Sequence, residues 1–87
     1  MKENSYVYII TNKRNETLYT GSTTNLQKRT HQHKNKLLGD FSSKYNLNKL
    51  VYYEMHESLE SASKRERSIK RWRRQWKLLL IEKMNPL

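Results

Sequence analysis

Cysteine is absent from this sequence, which excludes both a disulfide framework and a thiolate zinc site. No apolar run approaches the length of a membrane span, and the N-terminus has no apolar stretch of the signal-peptide kind. The expectation is therefore a soluble, cytoplasmic protein with no membrane partner. Proline occurs once and glycine twice, so there is no low-complexity linker and few chain reversals are marked by a breaker. Hydrophobic residues make up only 34% of the chain, with a single Phe, and six Tyr and two Trp must supply much of the packing. A length of 87 residues allows one domain, spanning 1–87, with a small core.

Acids are scarce as well. Eight Asp and Glu stand against 18 Lys and Arg, a formal net charge of +10. On a body this small that is a strong positive field, and phosphate backbones are its commonest polyanionic partner. The charge is concentrated. Lys64, Arg65, Arg67, Lys70, Arg71, Arg73, Arg74 and Lys77 surround a single acid, Glu66.

Residues 5–10 alternate as a strand, with Tyr6, Tyr8 and Ile10 on one face and Val7 and Ile9 on the other. A polar loop over 11–16 and a returning strand over 17–20 make an antiparallel hairpin, which Gly21 is expected to end. Thr24 and Gln27 have the spacing of a capping box, predicting a helix from Asn25 to about Lys36. On it Leu26, Arg29, Thr30, His33 and Leu37 share one face. A loop over 38–48 leads to a third strand over 49–55. Ser58 is an N-cap for a helical stretch reaching towards Lys83, and no Gly or Pro shows whether it breaks near residues 72–74. Pro86 stops any helix near Asn85. The order predicts an α+β fold, a small three-stranded, mainly antiparallel sheet flanked by helices.

Three polar groups stand on or beside faces that pattern assigns to the core. Arg29 and His33 lie on the inner face of the first helix, and Glu66 lies at the edge of the second apolar stripe. A buried charge is costly unless paired. The plain structural explanation is an internal Arg29–Glu66 ion pair with His33 as a satisfied core histidine. Taken with the tyrosines, the same groups suit phosphodiester hydrolysis. A carboxylate can hold a divalent cation, a guanidinium matches a phosphate, and a phenol or imidazole can take a proton from water.

These residues resemble the GIY-YIG nuclease superfamily, above all its small single-domain members. Tyr6-Val7-Tyr8 corresponds to the first motif and Tyr19-Thr20-Gly21 to the second. Tyr6 stands where the first motif has glycine, and Thr20 where the second has isoleucine. The superfamily's arginine falls on Arg29, its histidine on His33, its metal-binding glutamate on Glu66 and its terminal asparagine on Asn85. The resemblance implies an endonuclease that hydrolyses DNA phosphodiesters, in DNA processing or repair, with one Mg²⁺ or Mn²⁺ on Glu66. It implies catalytic roles for Tyr8, Tyr19, Arg29, His33, Glu66 and Asn85. Tyr8 is expected as general base with His33 or Tyr19 assisting, Arg29 and the ion lowering its phenol. Lys64, Arg67, Lys70, Arg71, Arg73, Arg74 and Lys77 are expected to contact the phosphates of single- or double-stranded DNA without reading bases. With no room for a separate DNA-binding domain, target recognition falls to the domain itself or to a protein partner, or is weak. The rival readings are a non-catalytic nucleic-acid-binding module on the same fold and a basic protein that assembles on RNA.

Overall fold

Alternation along the first strand determines the architecture. In a computed structural model that describes residues 4–12, 17–34, 47 and 49–84, strand β1 (Ser5–Thr11) is the middle strand of an antiparallel sheet. Strand β2 (Leu18–Thr23) pairs with one side of it and strand β3 (Lys49–His56) with the other. Val7, Tyr8, Ile9 and Ile10 are each at most 2% exposed, so β1 is covered on both faces. Burial of each such side chain favours folding by about 1.5–3 kcal/mol. Helix α1 (Leu26–Lys34) lies on the face of Tyr8 and Ile10, where Leu26, Tyr19, Leu47 and Leu50 complete one cluster. Helix α2 (Leu59–Lys70) covers the opposite face. There Ala62 and Ile69 pack on Val7, Ile9 and Tyr52, joined by Leu80 and Ile81 of helix α3 (Arg74–Met84). The expected α+β layering is what is found. Among the described residues no helix is long and apolar enough to cross a membrane.

Four details differ from, or decide, what the pattern predicts. Strand β2 does not end at Gly21 but continues to Thr23, because Gly21 is paired with Tyr8 in mid-ladder. The cap of α1 is Asn25, one residue after the expected Thr24, since the Asn25 side chain accepts from the Lys28 amide at 3.0 Å. β3 runs one residue further, to His56, and carries a register shift opposite Ile9 and Ile10. The long C-terminal helical stretch does break. The amides of Arg71 and Trp72 reach back only three residues, to Ser68 and Ile69, and α3 starts afresh at Arg74. A straight helix over 59–84 would extend about 39 Å, against about 26 Å for the eight residues of β3. The break brings Leu80 and Ile81 back over the sheet and sets Trp72 edge-on to Trp76, with ring centroids 6.4 Å apart. Ser58 caps α2 as expected, accepting from the Ser61 amide. Leu37, the loop over 38–48 apart from Leu47, and Pro86 lie outside the described residues.

One carboxylate fixes α2 on the sheet. Glu54 of β3 accepts hydrogen bonds from Tyr52 Oη, from His56 Nε2 at 2.5 Å and from Arg65 Nε of α2 at 3.1 Å. The other nitrogen of His56 meets Ser61 Oγ at 2.7 Å. Burial alone would raise the Glu54 carboxyl, but hydrogen bonds from Tyr52, His56 and Arg65 outweigh it and hold the group below its usual value. Its stabilising contribution is therefore complete above about pH 4.5, the unfolded value, and is lost as pH falls through the lower folded one. Glu54→Gln should lower stability at pH 7 by about 1–3 kcal/mol, and the gap to wild type should shrink in urea melts run towards pH 3. A gap independent of pH would show that Glu54 is not the anchor.

Candidate active site

The β1–β2 register places Tyr8 directly across from Gly21 and Ile10 across from Tyr19. An added Cβ at Gly21 would lie 2.5 Å from Tyr8 Oη and 2.6 Å from its Cζ. The glycine is thus required by the approach of the phenol, not by a turn into the helix, which corrects the role pattern gives it. Beyond Gly21, Thr23 Oγ1 accepts from the Asn25 amide at 3.1 Å and the Asn25 side chain caps α1. That junction fixes the rotation of α1. Leu26 turns to the core, Arg29 is half-buried, and His33, two turns on, is 3% exposed.

His33 Nε2 is 3.2 Å from Tyr8 Oη. The rings of Tyr8, Tyr19 and His33 form a triangle with centroids 5.7–6.4 Å apart. Burial lowers the His33 imidazole below the usual histidine value, and the Arg29 charge adds to this, so the ring is neutral near pH 7. Accepting at Nε2 requires the tautomer protonated at Nδ1. Burial pushes the Tyr8 phenol well above its usual range, with Tyr19 and Glu66 adding to the push and the facing Arg29 guanidinium opposing it. Arg29 does lower this phenol as expected, but within the chain itself burial outweighs it.

Glu66 reaches the same strand from the other face of the sheet. Its Oε1 accepts from Ser22 Oγ of β2 at 2.5 Å, and its Oε2 is 2.6 Å from Lys70 Nζ. The Arg29–Glu66 ion pair of the plain structural explanation is not formed. Arg29 sits on the α1 side of β2 and Glu66 on the α2 side, and the carboxylate pairs with Lys70 one helical turn away. Burial would raise the Glu66 carboxyl, but Lys70 and Ser22 outweigh it and keep the group ionised well into acid. Lys70 Nζ is also 6.0 Å from the centre of the Tyr19 ring. A shallow groove joins Lys70 and Lys77 to Leu18, Tyr19 and Thr20.

Among the described residues no three His, Cys, Asp or Glu side chains gather into a metal cage. A single half-buried carboxylate beside a hydroxyl fits a hard cation of the Mg²⁺ type, which keeps several waters and takes phosphate oxygens as further ligands. That an ammonium already rests on this carboxylate agrees with a seat for positive charge.

The structure thus gathers Tyr8, Tyr19, Arg29, His33 and Glu66 around the edge strand β2, while Asn85 lies outside the described residues. Of the basic set, Lys64, Arg67, Lys70, Arg71, Arg73 and Arg74 are exposed and Lys77 is half-buried. Ser22 escapes sequence reasoning, although its alternation with Tyr19 and Gly21 already points it at α2. The site position of Lys70 was hidden in a run of charge. A wider, mostly apolar groove of about 560 Å³ lies between Trp72 in the break and Trp76, Leu79 and Lys83 on α3, and none of the five gathered groups lines it.

Residues 4–79 match the GIY-YIG catalytic domain. The chain belongs to the GIY-YIG family. It is 43% identical over 86 residues to a UPF0213 protein of Syntrophus aciditrophicus, covering 94% of this chain and 93% of that one. A UPF0213 protein of Clostridium perfringens is 43% identical over 77 residues, covering 88% and 82%. The solution NMR structure of a UPF0213 protein from Bacillus halodurans superposes with a TM-score of 0.56 at 29% identity, over 91% of this chain and 83% of that one. The GIY-YIG core is therefore nearly the whole chain, and its two motif strands are β1 and β2.

The Tyr8–Gly21 approach is directly testable. Gly21→Ala must displace a phenol that is 2% exposed and has little free space, so thermal melts should give a loss of about 1–3 kcal/mol, as for other overpacked cores. Wild-type stability would mean that the Tyr8 ring swings clear.

Proposed function

We propose that this GIY-YIG protein is a divalent-metal-dependent endonuclease that hydrolyses DNA phosphodiester bonds, in DNA processing or repair in the cytoplasm. The observation that carries the reading is the meeting at one strand edge of the Tyr8–His33 pair, the Arg29 guanidinium and the Glu66 carboxylate. In this scheme Tyr8 Oη takes a proton from the attacking water as its own proton passes to neutral His33 Nε2. The raised phenol disfavours a standing phenolate, so the two transfers belong together. Tyr19 packs against both rings and orients them. Arg29 stabilises charge developing on the phosphate. Glu66 and Ser22 would hold Mg²⁺ or Mn²⁺, which when bound polarises the phosphate and stabilises the leaving oxygen. The exposed Lys64, Arg67, Arg71, Arg73 and Arg74 supply phosphate contacts that hold the strand in position.

Nicking of supercoiled plasmid in Mg²⁺, Mn²⁺ or EDTA tests the whole reading. DNA binding with no turnover under any of these conditions would leave the non-catalytic module. Glu66→Ala should lose at least about 10²-fold in rate, with DNA affinity unchanged or higher because a negative charge has gone. Cleavage at the wild-type rate would remove Glu66 as the metal ligand.

Tyr8→Phe deletes one oxygen and keeps the ring, so stability should change by about 1 kcal/mol while the rate falls by about 10²–10⁴-fold. Tyr19→Phe should cost less. The reverse order would exchange the two roles, and near-normal rates in both would leave His33 to act on water directly.

A further inference from the structure

Helix α2 carries two Glu–Lys pairs at the same spacing, and they are not alike. Glu60 and Lys64 stand in solvent, their side chains 81% and 70% exposed and their charges 3.6 Å apart. That is an ordinary helix-surface pair. Glu66 is only 18% exposed, its second oxygen is taken by Ser22 from another element, and Lys70 closes to 2.6 Å. Lys70 is half-exposed and lies beside a groove that leads past Tyr19 and Lys77 into the site. Its ammonium therefore has two destinations within reach of one flexible stem, the Glu66 carboxylate and the open edge of β2. Lys77 lines the same groove as Lys70 and feels the charges of Arg74 and Lys70, which makes that edge attractive to an anion.

We propose that Lys70 is a resident counter-cation of Glu66 that a divalent cation must displace, and that the displaced ammonium becomes a phosphate contact for the nucleic acid. The inference rests on the assignment of Glu66 as metal ligand. A divalent cation on the Glu66 carboxylate would crowd the ammonium that rests on Oε2 at 2.6 Å, and like charges at that range repel, so Lys70 competes with the metal while no phosphate is present. A phosphate that draws Lys70 away frees the carboxylate, and a metal that takes the carboxylate frees Lys70 for the phosphate. Through this one side chain metal and nucleic acid favour each other's binding, and the coupling must be the same in both directions. Lys70 acts here as a positioning residue. Its charge is counted once in the field that attracts DNA, but it stays on Glu66 until metal or phosphate draws it off.

The test is Mn²⁺ binding, read from the EPR signal of free Mn²⁺, so that no turnover enters the measurement. Without DNA, Lys70→Met should bind Mn²⁺ about three- to tenfold more tightly than wild type, the range set by loss of one partly exposed ion pair. Lys70→Arg, which keeps the charge, should stay near wild type. A short phosphorothioate duplex should tighten Mn²⁺ binding to wild type more than to Lys70→Met. A damaged fold cannot produce a gain in affinity, and Lys70→Gln should reproduce it. Unchanged or weaker Mn²⁺ binding by Lys70→Met and Lys70→Gln, with wild-type binding still abolished by Glu66→Gln, overturns the displacement alone. Mn²⁺ binding that survives Glu66→Gln unchanged, or fails in every variant, overturns the metal assignment and the displacement with it.

Discussion

Two consecutive residues of α2 reach opposite edges of the sheet. Arg65 turns to Glu54 on β3 and Glu66 to Ser22 on β2, while β1 runs between those outer strands. Neighbouring helical residues differ by about 100° around the axis, so one rotation of α2 satisfies both contacts. Ala62 and Ile69, three and four residues to either side, lie on the line that bisects them and are fully buried on β1 and β3. Packing and polar contacts therefore demand the same orientation. If α2 rolled to relieve one edge, Glu66 would leave Ser22 and the β2 edge where the other site groups gather. The Glu54 network on the far edge is thus part of what aims Glu66, although it contains no group of the site.

The other face obeys a different constraint. Tyr8 stands in the middle strand, in a position where a hydrocarbon would pack at lower cost, and the residue is only 2% exposed. A buried hydroxyl without a partner costs several kcal/mol in an apolar setting. His33 answers that need from α1, Gly21 makes room for the ring, and Arg29 brings positive charge towards the oxygen. The partner that accepts the phenol's hydrogen bond is a base held neutral by the same burial.

What could be read in advance follows from which signals are local. Strand alternation identified both faces of β1, and the 3.6-residue period put Arg29 and His33 on the inner face of α1, because each needs only its own element. Gly21 was misjudged because a glycine after a β-prone run ordinarily marks a turn, while its true neighbour depends on cross-strand register. Thr24 and Asn25 are both good caps, and Gln27 favoured the wrong one by a single residue. The break after Lys70 has no Gly or Pro to announce it and follows from the dimensions of the sheet. Lys70 was counted as one base among eight because composition cannot distinguish a charge that waits in solvent from one held on a carboxylate.

That last difference bears on how so basic a chain could carry the proposed cation site at all. With a formal charge of +10, the domain's long-range field repels a divalent cation as it attracts phosphate. Glu54 and Glu66 are the two half-buried acids among the described residues, and the first is already paired with Arg65. Only Glu66 is left to oppose the field locally, and it is itself covered by Lys70. A metal that had to overcome both the field and the ion pair unaided would bind weakly. On the reading proposed above, nucleic acid would remove both obstacles together, by neutralising the surface and by offering Lys70 a phosphate, so the site would fill when a strand is bound.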